Sequence, residues 1–317
     1  MRIILMRLLA TPKPRAHRPA LALLLAGSLA GTVAFSGCSA LSDDSGNGRR
    51  IAAAFYPLAY VAERVAGNLA DVENLTRPGG EPHDLELGVK EVAEVAEADL
   101  VILEEGFQPA VDDAVAQNAT GEVLDAAAPA RLEPFGHDGH DHADESGLDP
   151  HFWQDPLRLA AVGDATAEKL AELDPDHAAD YRANAAALRS DLESLDQQYA
   201  EGLASCERTT VVVSHDAFGY LSRYGLDFEP IVGLSPEAEP TPADLARLQR
   251  LIRAKGITTV FSETLASPKM SETLANDLGI TTAVLDPIEG LSDATADEDY
   301  LSIMRSNLSA LKKANGC

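Results

Sequence analysis

The sequence has 317 residues, 45% of them hydrophobic and 24% charged, which is the composition of an ordinary globular protein and excludes disorder throughout. The formal net charge is −26, and only 20 of the 25 basic residues, against all 51 acidic ones, lie at or beyond residue 38. A surface of this charge repels nucleic acid and weakly attracts cations, so nucleic acid is excluded as a partner.

The N-terminus has the features of an export signal. A basic stretch ending at Arg18 precedes the apolar run at residues 20–35, so residues 1–37 are predicted to be a signal peptide. The following Ser-Gly-Cys resembles the lipobox of bacterial lipoproteins, which implies lipidation of Cys38 and anchoring to the outer face of the cytoplasmic membrane. An uncleaved membrane anchor is the open alternative. Residues 38–50 are polar and suit a tether.

Residues 51–155 are predicted to form an N-terminal α/β lobe. Short apolar runs alternate there with segments whose apolar residues recur at helical spacing. Two of the runs predict strands, RIAAAFY and DLVILEEG, and three segments predict helices, PLAYVAERVAGN, VKEVAEVAEA and QPAVDDAVAQNA. This alternation is typical of a mostly parallel sheet covered by helices.

A long helical stretch at residues 156–205, broken or kinked near residues 173–176, is predicted to link this lobe to a second one. Strand and helix patterns then alternate again through residues 206–317, ending in a helix. The predicted fold class is therefore α/β, with two Rossmann-like lobes of mostly parallel sheets joined by a long rigid backbone helix. A ligand site is expected in the cleft between the lobes.

Four polar residues occupy positions from which they can face that cleft. His83 follows the strand-like VENLT, His151 opens the connection to the linking helix, His215 follows TTVVVS and Asp286 follows ITTAVL. Ligands in open α/β sheets bind beyond the carboxyl ends of strands. Three imidazoles and a carboxylate predict a site for a first-row divalent metal, most commonly zinc.

A second group of histidines lies in a different environment. His137, His140 and His142 stand among glycines and acidic residues, which predict a flexible loop at residues 136–146. Ordering such a loop costs backbone entropy, so we expect an auxiliary metal site that is weaker than the cleft. A solvated linker with incidental histidines is the open alternative.

Two cysteines remain once Cys38 is assigned to the anchor. Export implies an oxidising compartment, so Cys206 and Cys317 are a possible disulfide. The sequence leaves open whether the two sulfurs meet.

The segments RPGGEPHDLEL, DPHFWQDP, VVSHDAFGYLSRYGL and ITTAVLDP resemble the four metal-ligand segments of the solute-binding proteins of zinc and manganese ABC transporters. The resemblance covers residues 50–317. It implies a monomeric, non-enzymatic carrier that holds its metal through His83, His151, His215 and Asp286 and delivers it to a membrane permease.

His215 and the histidine-rich segment favour the zinc-type members of this family over the manganese-type ones. For the fourth ligand, the resemblance also leaves open water or another carboxylate, such as Glu81, Glu104 or Glu263. We assign Glu263 instead to a supporting role, as a partner that orients a histidine.

Two other functional classes stay open. Three histidines and a water also describe a secreted zinc hydrolase, for which Glu263 is the best candidate base, although no HExxH motif is present. An adhesin with a structural metal is the third possibility.

Overall fold

The computed structural model of the protein describes residues 48–134 and 147–317. The predicted signal peptide (1–37), Cys38 and the loop carrying His137, His140 and His142 lie outside the described residues. Within the described ranges, no helix combines the length and the apolar character needed to cross a membrane.

The first sheet has four parallel strands in the order β2-β1-β3-β4. The strands are β1 (Arg49–Ala53), β2 (Ala70–Asn74), β3 (Leu100–Leu103) and β4 (Glu122–Asp125). The helices of this part are α1 (Tyr56–Ala66), α2 (Val89–Glu97), α3 (Pro109–Asn118) and α4 (Ala127–Ala130). All four residues of β3 are buried, as expected for a central strand with both faces covered. The sequence analysis missed β4, since this edge strand is short and buries only Leu124.

The second sheet repeats this topology in the order β6-β5-β7-β8, again with parallel pairs. Its strands are β5 (Thr210–Val213), β6 (Asp227–Pro230), β7 (Thr259–Ser262) and β8 (Thr281–Val284). The accompanying helices are α7 (Pro242–Lys255), α8 (Lys269–Leu278) and α9 (Tyr300–Asn315). The predicted helix after β5 is a short 3-10 helix, Gly219–Tyr224. Two parallel-sheet α/β lobes, as predicted, are therefore present.

The link between the sheets consists of two helices that fold back on each other, α5 (Pro156–Leu173) and α6 (Ala178–Leu203). The order of the ion pairs between them shows that they run antiparallel: Asp164 and Glu168 of α5 pair with Arg189 and Arg182 of α6, respectively. The break lies within the predicted residues 173–176, at Pro175, which lacks the amide hydrogen needed to continue α5. The link is consequently a packed helical hairpin.

One hydrophobic core extends from the first sheet through the linking helices to part of the second sheet. The segment between the first sheet and α5 lies inside it: Phe152 and Trp153 are fully buried, and Trp153 contacts Phe55. On the other side, the Tyr300 hydroxyl of α9 donates to the Trp153 carbonyl at 2.5 Å. The segment that carries His151 is thus held by packing from both lobes.

Cys206 and Cys317 form a disulfide that joins the segment before β5 to the chain beyond α9. Next to it, the Arg208 amide donates to the Asn315 carbonyl at 3.0 Å. The bond connects residues 111 positions apart, so it removes much conformational freedom from the unfolded chain.

We expect Cys317→Ser to lower the free energy of unfolding by about 2 to 5 kcal/mol, because the unfolded chain regains the entropy that the long cross-link removes. Denaturant titration under oxidising and reducing conditions measures the effect. The reduced parent protein should match the variant, and an unchanged midpoint in both would contradict a stabilising role.

Candidate metal centre

Four side chains from four separate segments meet at one point: His83, His151, His215 and Glu289. His83 lies in the irregular loop after β2, and His151 directly precedes the 3-10 helix Phe152–Gln154. His215 follows β5, and Glu289 follows β8. Three of the four thus come from the carboxyl ends of parallel strands, where loops of such sheets converge.

The centre of the cluster is one carboxylate oxygen, Glu289 Oε1. It lies 3.1 Å from His83 Nε2, 3.2 Å from His215 Nε2 and 3.4 Å from His151 Nε2. All the candidate ligand atoms lie within 4.8 Å of one another. The set offers three nitrogens and one oxygen to a single ion.

The cluster is almost sealed from solvent. The side chains of His151 and His215 are 0% exposed and that of Glu289 is 1% exposed, whereas His83 retains 11%. Buried charged groups are costly unless they are paired or coordinate a metal. Binding a cation would therefore stabilise the buried carboxylate of this cluster.

Two further carboxylates fix the orientation of two imidazoles. Asp149 Oδ1 lies 2.9 Å from His151 Nδ1, and Glu263 Oε1 lies 2.6 Å from His215 Nδ1. A hydrogen on each Nδ1, donated to its carboxylate, leaves the Nε2 lone pair available to an ion. Glu263 also accepts hydrogen bonds from the His215 amide and the Ser214 hydroxyl, which hold it in place.

His83 is held by packing and by its backbone. Its ring stands edge-on to Phe107, with the ring centroids 4.8 Å apart. The Gln108 side-chain amide donates to the Pro82 carbonyl at 3.1 Å, and the Gly79 amide donates to the Leu291 carbonyl at 2.7 Å. The second bond ties the His83 loop to the loop that carries Glu289.

The protonation equilibria show how strongly these groups interact. Burial by itself raises the pKa of Glu289, but His215 and the other two imidazoles outweigh burial and hold that pKa well below its usual range. Burial lowers the pKa of His215, whereas Glu289 and Glu263 raise it, and the net pKa is about 10. Without a bound cation, His215 is therefore protonated at neutral pH.

Asp286, the fourth ligand expected from the sequence, is not part of the cluster, and Glu289 takes that place. The Asp286 carboxylate is engaged elsewhere: Oδ1 accepts from the Ile288 amide at 2.7 Å, and Oδ2 accepts from the Thr264 hydroxyl at 2.8 Å. With these two hydrogen bonds, the Asp286 side chain lies against the turn that follows β8. The expectation of Asp286 as a ligand is corrected accordingly.

The other carboxylates considered from the sequence also lie outside the set of candidate ligands. Glu263 contacts the outer nitrogen of His215, the orienting position that the sequence analysis assigned to it. Glu104 is buried, and burial together with Asp149 raises its pKa well above the usual range. Burial also raises the pKa of Glu81, against the influence of nearby His83.

Sequence reasoning missed two functional candidates, Glu289 and Asp149. Glu289 lies in DPIEG, only three residues after Asp286, but the first acidic residue beyond a strand received the assignment. Asp149 precedes His151 by two residues in LDPHFW, a spacing short enough for a carboxylate to reach the neighbouring imidazole. The two-residue spacing between Asp149 and His151 is the sequence feature that could have identified Asp149.

The residues fit a small divalent ion with a preference for nitrogen ligands. An ion with bonds of about 2.0 to 2.1 Å in tetrahedral geometry has ligand atoms about 3.3 Å apart. The three distances from Glu289 Oε1, between 3.1 and 3.4 Å, match this spacing. In addition, His151 Nε2 is buried and makes no hydrogen bond within the described part of the chain.

Residues 51–314 match a family model described as zinc-uptake complex component A, periplasmic. The zinc-binding lipoprotein AdcA of Streptococcus pneumoniae R6 is 37% identical over 279 residues, which cover 83% of this chain and 55% of that protein. The high-affinity zinc uptake system protein ZnuA of Bacillus subtilis is 32% identical over 285 residues, with 86% and 89% covered. The chain therefore spans only about half the length of the AdcA relatives.

Solved structures with the same fold include the Zn(II)-bound ZnuA-like domain of S. pneumoniae AdcA. It superposes with a TM-score of 0.71 at 33% identity and covers 85% of this chain and 100% of that domain. The laminin-binding protein Lmb of Streptococcus agalactiae, described as having adhesin and metal transporting activity, has a TM-score of 0.75 at 29% identity, with 84% and 99% covered.

We expect Glu289→Gln to weaken divalent-metal binding by about tenfold or more, or at least 1.4 kcal/mol, because it removes the only anionic member of the cluster. Chelator competition measures the dissociation constant. Glu104→Gln is the matched control, since Glu104 is equally buried but lies outside the cluster. Equal losses in both variants would contradict the assignment of Glu289.

Proposed function

The chain belongs to the zinc-uptake complex component A family, and on this basis we propose that it captures Zn(II) outside the cytoplasm and delivers it to an ABC transporter permease in the membrane. The observation that carries the proposal is the convergence of His83, His151, His215 and Glu289 on one buried point. Such a site holds one ion and isolates it from solvent during transfer.

The composition of the cluster favours zinc over manganese. Imidazole nitrogens suit zinc, whereas carboxylate, carbonyl and water oxygens suit manganese. Three imidazoles and one carboxylate form a nitrogen-rich set with four members, the number that zinc usually takes. The relatives named above as zinc-binding agree with this choice.

The position of Glu263 favours a carrier over a hydrolase. A catalytic zinc keeps one coordination position open for water, and a general base must reach that water. Here the fourth position is taken by the buried Glu289, and Glu263 contacts the outer nitrogen of His215. The residue proposed as a base from the sequence thus faces away from the site where a substrate would bind.

The N-terminal sequence and the naming of one relative as a lipoprotein support a proposal for anchoring and delivery. We propose that residues 1–37 are removed, that Cys38 carries the lipid and that the tether places a monomeric carrier beside its permease. His137, His140 and His142 would then form a weaker auxiliary zinc site in the acidic loop, separate from the buried cluster.

The experiment that tests this function is metal binding by purified protein. We expect one tightly bound Zn(II) per chain, with Mn(II) failing to displace it in direct competition. His215→Ala should weaken zinc binding by at least about 10²-fold, since a coordinating imidazole and the orienting contact to Glu263 are both lost. His177→Ala, on the exposed turn between α5 and α6, is the control. Unchanged affinity in His215→Ala would overturn the proposal.

Zinc binding should also release protons. Because the pKa of His215 is about 10 without a cation and coordination requires the neutral ring, about one proton leaves this residue when zinc binds at pH 7. Apparent affinity should therefore rise as pH increases from 6 to 9. Calorimetry in buffers of different ionisation enthalpy counts the protons, and a binding enthalpy independent of buffer would contradict this expectation.

A further inference from the structure

Ile288 has a backbone conformation that is unusual for its residue type. Its φ is +61°, in the left-handed region, and the only other non-glycine residue with positive φ in the described part of the chain is Arg131. A β-branched residue is a genuine outlier there, because its side chain crowds the backbone. Ile288 is also fully buried and directly precedes Glu289.

The turn that contains Ile288 is held by several hydrogen bonds that involve Asp286. Asp286 Oδ1 accepts from the Ile288 amide at 2.7 Å, and Asp286 Oδ2 accepts from the Thr264 hydroxyl at 2.8 Å. The Asp286 backbone makes two hydrogen bonds with the Asn307 side chain, at 2.9 and 2.7 Å. Strained residues persist only where surrounding structure over-determines them, as it does here.

The same turn is tied to the segment that carries His151. The Pro287 carbonyl accepts hydrogen bonds from Trp153 Nε1 at 2.8 Å and from Gln154 Nε2 at 2.6 Å, both buried. Two members of the metal cluster, His151 and Glu289, are thereby connected through a short path across Trp153 and Pro287. The position of the carboxylate relative to that imidazole is fixed by the turn.

We propose that Asp286 is a positioning residue for the metal site: its carboxylate holds Ile288 in the left-handed conformation and thereby directs Glu289 at the three imidazoles. The inference rests on the proposed metal-binding function. Asp286 itself lies outside the set of candidate ligand atoms, and its two carboxylate oxygens accept hydrogen bonds from Ile288 and Thr264. Its effect on affinity passes entirely through Glu289.

A double-mutant cycle tests this route, with Zn(II) affinity measured by chelator competition on the full chain. We expect Asp286→Ala to weaken binding by about the same factor as Glu289→Ala, since the carboxylate is lost or misdirected in both. In the Glu289→Ala background, Asp286→Ala should cause no additional loss. Additive losses, or an unchanged affinity in Asp286→Ala alone, would overturn the proposal.

The conservative variant separates positioning from direct coordination. The side-chain oxygen of Asp286→Asn still accepts from the Ile288 amide, and its NH₂ group can donate to Thr264, so the turn should persist. Affinity should then stay within about threefold of the parent, well under one decade or 1.4 kcal/mol. A loss as large as that of Glu289→Ala would identify Asp286 as a ligand and refute the proposal.

A spectroscopic measurement distinguishes a positioning role from a general loss of stability. Co(II) replaces Zn(II) in nitrogen-rich sites, and its visible absorption is strong in four-coordinate sites and weak at higher coordination. Asp286→Ala should reproduce the spectrum of Glu289→Ala, whereas Asp286→Asn should retain that of the parent. A parent-like spectrum in Asp286→Ala would limit the residue to a structural role and contradict the proposal.

If Asp286→Ala does not fold, Thr264→Val replaces it in the cycle, because it removes only the hydrogen bond to Asp286 Oδ2. We expect a smaller loss that disappears in the Glu289→Ala background, and a loss that persists there, or no loss at all, would overturn the proposal. Failure of the parent to bind Zn(II) or Co(II) would instead refute the proposed function, so the two failures are distinguishable.

Discussion

The structure depends on one buried carboxylate, Glu289, surrounded by three imidazoles. An isolated charge with 1% exposure is unstable unless neighbouring groups compensate it. His83, His151 and His215 provide that compensation, and each comes from a different segment. Both sheets must therefore present the carboxyl ends of their strands to one cleft, and the linking helices must hold that arrangement.

A second layer of carboxylates surrounds the first. Asp149 and Glu263 contact the outer nitrogens of two imidazoles, so that negative charge lies on both sides of each ring. This arrangement makes the rings better donors to a cation and fixes which nitrogen faces inward. The strongly acidic composition of the chain extends the same preference for cations to longer range.

His83 and His215 were predictable because each lies in a loop that follows a strand, and His151 because it opens the connection to the linking helices. His215 follows a run of buried valines, and the loop of His83 follows a strand of the same sheet topology. Glu289, the fourth member of the cluster, was not predictable in this way. Strand ends indicate where a loop begins but not how its backbone turns, and the left-handed Ile288 redirects the chain after Asp286.

Other features escaped prediction for related physical reasons. The periodicity of residues 156–205 indicates helix, yet it does not show that two helices separated by Pro175 pack antiparallel, since that depends on buried contacts between them, such as Leu188 against Gly163. The edge strand β4 has too few buried residues to produce a pattern. Whether Cys206 meets Cys317 depends on the whole second lobe, because 111 positions separate the two residues.

The hydrogen bond from Gly79 to Leu291 bears on how quickly an ion is exchanged. With three of the four cluster side chains at 0 to 1% exposure, an ion cannot leave by direct substitution from solvent and must wait for the protein to open. The His83 loop is the most exposed part of the enclosure, and this bond fastens it to the Glu289 loop. The residence time of a bound ion would then be governed by an opening rate, so any interaction that separates these loops would accelerate release without first weakening a metal bond.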